Sequence, residues 1–327
     1  MVSRNFLKQE MYTLDNFHFK CGEVLDNVDM EYVTIGTPNY DENGNIDNLV
    51  IISHGLMGTM DLAHLFDPLF EKGAPFDKEK YFFVVMTPLS YPKSCSPSTT
   101  GLGKDFPPID LEDFANFKRD FLKAKFNVTK IKGIIGISLG GFVALDWASR
   151  FPDDVEFVIS ISSSCKIFGQ KYLMIRRIQE IINSDPYYNG EDFQGLTIRT
   201  LSLIASGIYS HRYSTDFINN CSNEFLDLKL EDPDENFLFI DIDDVKHIID
   251  AVADFDISDN IHNIKAKTLV VGVNQDQFIR PKYDSKLLLD SIKYSKLVLF
   301  DSELGHDGVY EISKIKDDLQ EFMDSID

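Results

Sequence analysis

The sequence predicts an α/β fold, with a mostly parallel central sheet flanked by helices and a helical cap insertion between two strands. Three observations carry this reading. Short β-branched runs recur along the 327 residues, helical patterns alternate with them, and that rhythm stops between about residues 163 and 265. Apolar runs without polar alternation read as strands buried on both faces, and such strands separated by helices form parallel sheets.

The elements follow in order. The first 36 residues alternate apolar and polar, which predicts an antiparallel ribbon at one edge of the sheet. The buried strands are LVIIS (49–53), YFFVVM (81–86), IKGIIGI (131–137), VEFVISI (155–161), TLVVGV (268–273) and KLVLF (296–300). Helical spacing marks residues 110–126, 142–151 and 313–326. Within the insertion, 170–184, 195–210 and 244–256 read as helices. The expected organisation is therefore a core over 1–162, a cap over 163–265 and the rest of the core over 266–327. There are no repeats and no low-complexity segments.

Bulk properties narrow the function classes. A formal net charge of -21 argues against nucleic acid and anionic membrane surfaces as partners. No window approaches the roughly 18 uninterrupted apolar residues of a membrane helix. Charges interrupt the N-terminal MVSRNFLKQEMYTLDNF, so it does not read as a signal peptide, and a cytoplasmic location is expected. Cys21, Cys95, Cys165 and Cys221 form no CxxC pair and are expected as free thiols. The acidic stretches EDPDE (231–235) and DIDD (241–244) lack the glycine-punctuated loop and terminal glutamate of a calcium hand, so no metal is expected. Small molecules remain as partners.

The stretch GISLGGFVALDW (136–147) sets a lone serine among glycines, after a buried strand and before a helix. It matches G-x-S-x-G, in which a strained strand-to-helix turn lifts the serine hydroxyl above the sheet. Ser138 is the candidate nucleophile. The Leu139 N–H is a candidate oxyanion donor, and the N-terminal dipole of helix 139–150 would add to it.

A serine needs a base, and the base needs an acid to hold its tautomer. His306, in the glycine-flanked loop ELGHDGVY (303–310) after the last strand, is the candidate base. Asp276, in NQDQFIRP after TLVVGV, is the candidate acid; Asp301 is a rival only five residues before His306. The order Ser, Asp, His is that of the α/β-hydrolase fold. The turn HGLMG (54–58) after LVIIS would supply a second oxyanion N–H from Leu56, with His54 bracing the loop.

Ser138 and its surroundings, GISLGGFVALDWASRFPDDV, resemble the nucleophile segment of the homoserine O-acetyltransferases. Gly136, Gly140, Gly141, Ala144, Leu145, Trp147, Arg150, Pro152 and Val155 fit that family's pattern, and Leu139 replaces its usual methionine. Asp105-Phe106-Pro107, Ser96-Pro97-Ser98, Asp254-Phe255-Asp256 and Gly305-His306-Asp307 are similar to further family segments. The likeness spans about residue 48 to the end. It implies a ping-pong reaction with acetyl-CoA as acyl-donor substrate, no bound cofactor, an alcohol acceptor (homoserine in the family) and a homodimer. It also implies that Asp307 meets an acceptor amine; an aspartate capping its loop is the alternative.

Departures accompany the likeness. The loop TPLSYPKSCSPSTTG carries prolines where the family has glycines, Glu112 precedes Asp113 where an arginine is usual, and Arg199 comes one position early for the family's carboxylate clamp. One residue is about 100° around a helix. Lys118, Arg119, Lys123, Lys125, Lys130 and Lys132 form a basic cluster that reads as a solvated helix face. Three functions result. The first is an acetyl-CoA-dependent O-acyltransferase. The second is a carboxylesterase using the same three residues, and the third a non-catalytic binding protein on the same fold.

Overall fold

The computed structural model describes residues 7–56, 58–186, 241–326, and 200–231 apart from 202, 205, 206, 209 and 210. Eight strands form one sheet in the order β1-β2-β4-β3-β5-β6-β7-β8. β1 (Glu10–His18) and β2 (Val24–Ile35) are the antiparallel edge ribbon, and β2 also runs antiparallel to β4. β3 (Leu49–Ser53), β4 (Phe82–Met86), β5 (Ile131–Ile137), β6 (Val155–Ile161), β7 (Lys267–Val273) and β8 (Ser295–Phe300) pair in parallel.

Successive side chains on a strand point to opposite faces, so the buried runs feed two cores. Phe82, Val84 and Met86 join one core with Phe114, Phe117, Phe121 and Trp147. Phe83 and Val85 join the other with Phe66, Phe76, Phe157 and Phe322. After the short α1 (Pro97–Thr100) come α2 (Leu111–Phe126) and α3 (Leu139–Arg150), which supply the first face. The Asp110 side chain caps α2, accepting from the Glu112 and Asp113 amides, and Asp113 returns the bond to the Asp110 N–H.

The basic cluster on and after α2 does not form one solvated face. Lys123, Lys125 and Lys130 are exposed. Lys118 is buried at 1 % exposure because its position shares the apolar side of α2 with Phe114, Phe117 and Phe121. Its ammonium nitrogen donates to the Met86 carbonyl at 3.0 Å, and burial pushes its pKa down to about 7.

The expected insertion falls between two neighbouring strands, since β6 ends at Ile161 and β7 starts at Lys267. Its described helices include α4 (Gly169–Asn183), α5 (Thr215–Asn220), α6 (Asn223–Glu231) and α7 (Ile242–Ala253). The expected helix 195–210 lies partly outside the described residues, as does all of its GLTIR opening with Arg199. After β7, α8 (Asp284–Ser291) leads to β8, and α9 (Lys316–Asp324) ends the described chain. A buried pair, Lys171 on α4 with Asp284 on α8, ties the insertion to the core, and Ser164 donates to the same carboxylate at 2.8 Å. No helix among the described residues is long and apolar enough to cross a membrane. The four cysteines are unpaired.

Candidate active site

Ser138 sits between β5 and α3 with φ 52° and ψ -118°, a region that a residue with a Cβ rarely adopts. Its amide donates to the Ile161 carbonyl at 2.9 Å, which ties the turn to β6. The glycines around it are steric necessities. A Cβ on Gly136 would stand 2.4 Å from the Gly140 carbonyl oxygen, and one on Gly141 would stand 2.5 Å from the Ser163 Cβ.

Three distant segments meet at this turn. His306 Nε2 lies 3.0 Å from Ser138 Oγ, and His306 Nδ1 lies 2.7 Å from Asp276 Oδ2. Asp276 Oδ1 accepts from the Phe278 and Ile279 amides at 2.8 and 2.9 Å, and its side chain has no exposed surface. A carboxylate held at both oxygens can orient the imidazole, which in turn can take the serine proton. The rival Asp301 accepts instead from Asn274 and Gln275, out on the surface. Burial opposes the charged form of His306. The Asp276 carboxylate and its hydrogen bond, helped by Asp307, outweigh burial and the nearby Arg212, and hold the pKa above its ordinary value.

The HGLMG turn lies directly against the serine, since a Cβ on Gly55 would be 3.1 Å from Ser138 Cβ. His54 is buried, and burial, opposed by its bond to Gly55 and aided by Lys118, pushes its pKa down to about 4. Its ring is therefore neutral, and Nδ1 donates to the Gly55 carbonyl at 2.9 Å. A trans peptide points its N–H away from its C=O, so this bond fixes the direction of the Leu56 N–H. Tyr91 Oη adds a bond to the Leu56 carbonyl at 2.7 Å. Leu139 opens α3, where the first amides have no intrahelical partner. Leu56 and Leu139 both line the cavity over Ser138.

That cavity has a volume of about 160 Å³. Asp307 lines it, and its Oδ2 accepts from Arg212 Nε at 2.5 Å. Sequence reasoning did not find Arg212. It comes from the insertion, 95 residues before its partner, and no local pattern marks such a pair. Tyr91 and the Lys171–Asp284 tie were missed for the same reason. Among the described residues no group of three or more His, Cys, Asp or Glu side chains could hold a metal ion.

A strand-turn-helix serine at the C-terminal end of a central strand in an eight-stranded, mostly parallel sheet defines the α/β-hydrolase class, and the comparisons agree. Residues 48–311 match the family model described as alpha/beta hydrolase fold, and the chain belongs to that family. A relative named "Probable acyltransferase" from Methanothermobacter thermautotrophicus is 36% identical over 95% of this chain and 96% of its own. A homoserine O-acetyltransferase from Carboxydothermus hydrogenoformans is 26% identical over 99% of this chain and 97% of its own. The solved structure of an acetylester hydrolase from Corynebacterium glutamicum superposes with a TM-score of 0.83 at 21% identity, covering 97% of this chain and 96% of that one; it speaks for the fold alone.

Proposed function

We propose that the chain is an O-acyltransferase that works through an acyl-enzyme on Ser138, with acetyl-CoA as its donor substrate. The carrying observation is the line Asp276–His306–Ser138, bonded at 2.7 and 3.0 Å and opening into a cavity. Ser138 Oγ attacks the thioester carbonyl carbon while His306 Nε2 takes its proton. The carbonyl oxygen becomes an oxyanion facing the Leu56 and Leu139 amides. Collapse breaks the carbon–sulfur bond, and His306 returns the proton to the departing thiolate. An acceptor alcohol then gives its proton to His306 as its oxygen attacks the ester carbon; collapse breaks the bond to Ser138 Oγ, and His306 returns the proton to that departing oxygen. Asp276 holds the imidazole in the tautomer that both halves need.

Water in the place of the alcohol would make the chain a carboxylesterase. The apolar walls around the ester leave water few partners, which supports transfer to a bound alcohol. The test offers acetyl-CoA and follows thiol release with and without alcohols, beside a p-nitrophenyl acetate control. Thiol release that depends on the alcohol supports the transferase. Ester cleavage that ignores every alcohol supports the esterase.

A further inference from the structure

An acceptor must reach His306 Nε2, so the side chains beside His306 decide which alcohols fit. Among the described residues, the charged side chains lining the cavity besides His306 are Lys171, Arg212 and Asp307. Each already has a protein partner. Lys171 is paired with the buried Asp284, and Arg212 with Asp307. The Arg212 and Asp307 side chains are only 19% and 15% exposed, so their pair is largely out of water. The remaining wall is mostly hydrocarbon, with Leu56, Leu139, Phe142, Met174, Ile175 and Phe278 among its residues, and Tyr310 also lines it.

An amino-acid acceptor would bring an ammonium and a carboxylate into this space. Each loses hydration on entry and needs a fixed partner of opposite sign. An ammonium at Asp307 would share a carboxylate whose charge Arg212 already neutralises, and it would add a further cation beside the imidazolium that forms during attack. An alkyl alcohol needs neither partner and covers apolar wall.

We propose that the acceptor is an alcohol with a hydrocarbon body and no ammonium group, and that Arg212 sets this selectivity by occupying Asp307. This rests on the acyl-Ser138 reading above. It makes Arg212 a specificity-determining residue contributed by the insertion.

The test uses p-nitrophenyl acetate as donor, so that CoA recognition plays no part, and measures how the acetyl group partitions among added alcohols by quantifying the ester products. n-Butanol should capture it roughly tenfold better than ethanol at equal concentration, the gain expected from two buried CH₂ groups. Homoserine should capture it no better than ethanol. In Arg212→Gln, the homoserine-to-butanol product ratio should rise. Homoserine beating n-butanol in the unaltered chain would overturn the proposal, and so would acetate as the sole product with every alcohol. An unchanged ratio in Arg212→Gln would overturn the assignment to Arg212. Absence of any acetyl group on Ser138 by mass spectrometry is a different failure, since it removes the acyl-enzyme reading and the selectivity with it.

Discussion

A Cβ on Gly140 would stand 2.0 Å from the carbonyl oxygen of Ser53, so the first turn of α3 packs backbone to backbone on the end of β3. This contact places Ser138 beside the HGLMG turn. Gly140→Ala must push the two segments apart. It should destabilise the fold by at least about 3 kcal/mol, the upper range for overpacking. Thermal or denaturant unfolding reads the loss, and a stability within experimental error of the unaltered chain would contradict the packing.

Ser138→Ala removes the proposed nucleophile while its Oγ contributes one bond, to His306. Acyl transfer should fall roughly 10⁴-fold or more, as in other serine enzymes. Unfolding should move little, because the backbone that holds the turn is untouched. Retained turnover would give the nucleophile role to another group.

Asp276→Asn should lower the rate by roughly 10⁴-fold, since the base then loses its preferred tautomer. The pH profile adds a signed test. His306 acts as a base only when neutral, and its pKa is held above the ordinary 6.5. Activity should therefore fall as pH drops through a value above 6.5. In Asp276→Asn the residual activity should keep its acid limb at lower pH, because the carboxylate favouring the imidazolium is gone.

Lys118 gives a stability prediction. Its folded pKa is lowered to about 7 from the ordinary 10.5. Across that window the unfolded chain binds more protons, so this group makes stability rise with pH, on the order of 2 kcal/mol between pH 8 and 10. Lys118→Met should flatten the rise, as read by denaturant unfolding at the two pH values. An equal slope in both proteins would show that Lys118 is not buried as a neutral amine.

Much of this was legible because the signals are local. Uninterrupted runs such as LVIIS and IKGIIGI name buried strands, and β3 and β5 occupy those same residues. Gly136, Ser138 and Gly140 mark a turn that few other residues could make, and chain order pointed to Asp276 and His306, which the fold brings together. The rest depends on contacts across the chain. Lys118 looked solvated because charge outweighs helix face in a composition reading, whereas its neighbours Phe114 and Phe121 bury that face. Arg212 and Asp307 meet only once the insertion folds over the core, and neither carries a local mark of the other.

The acyl-enzyme is the centre of the account. Incubating the purified chain with acetyl-CoA and no acceptor, quenching in acid and mapping peptides by mass spectrometry tests it most directly. The account predicts one acetyl group on the peptide that holds Ser138, absent in Ser138→Ala and lost on adding an accepted alcohol. An unmodified Ser138 peptide under conditions where thiol is released would contradict it.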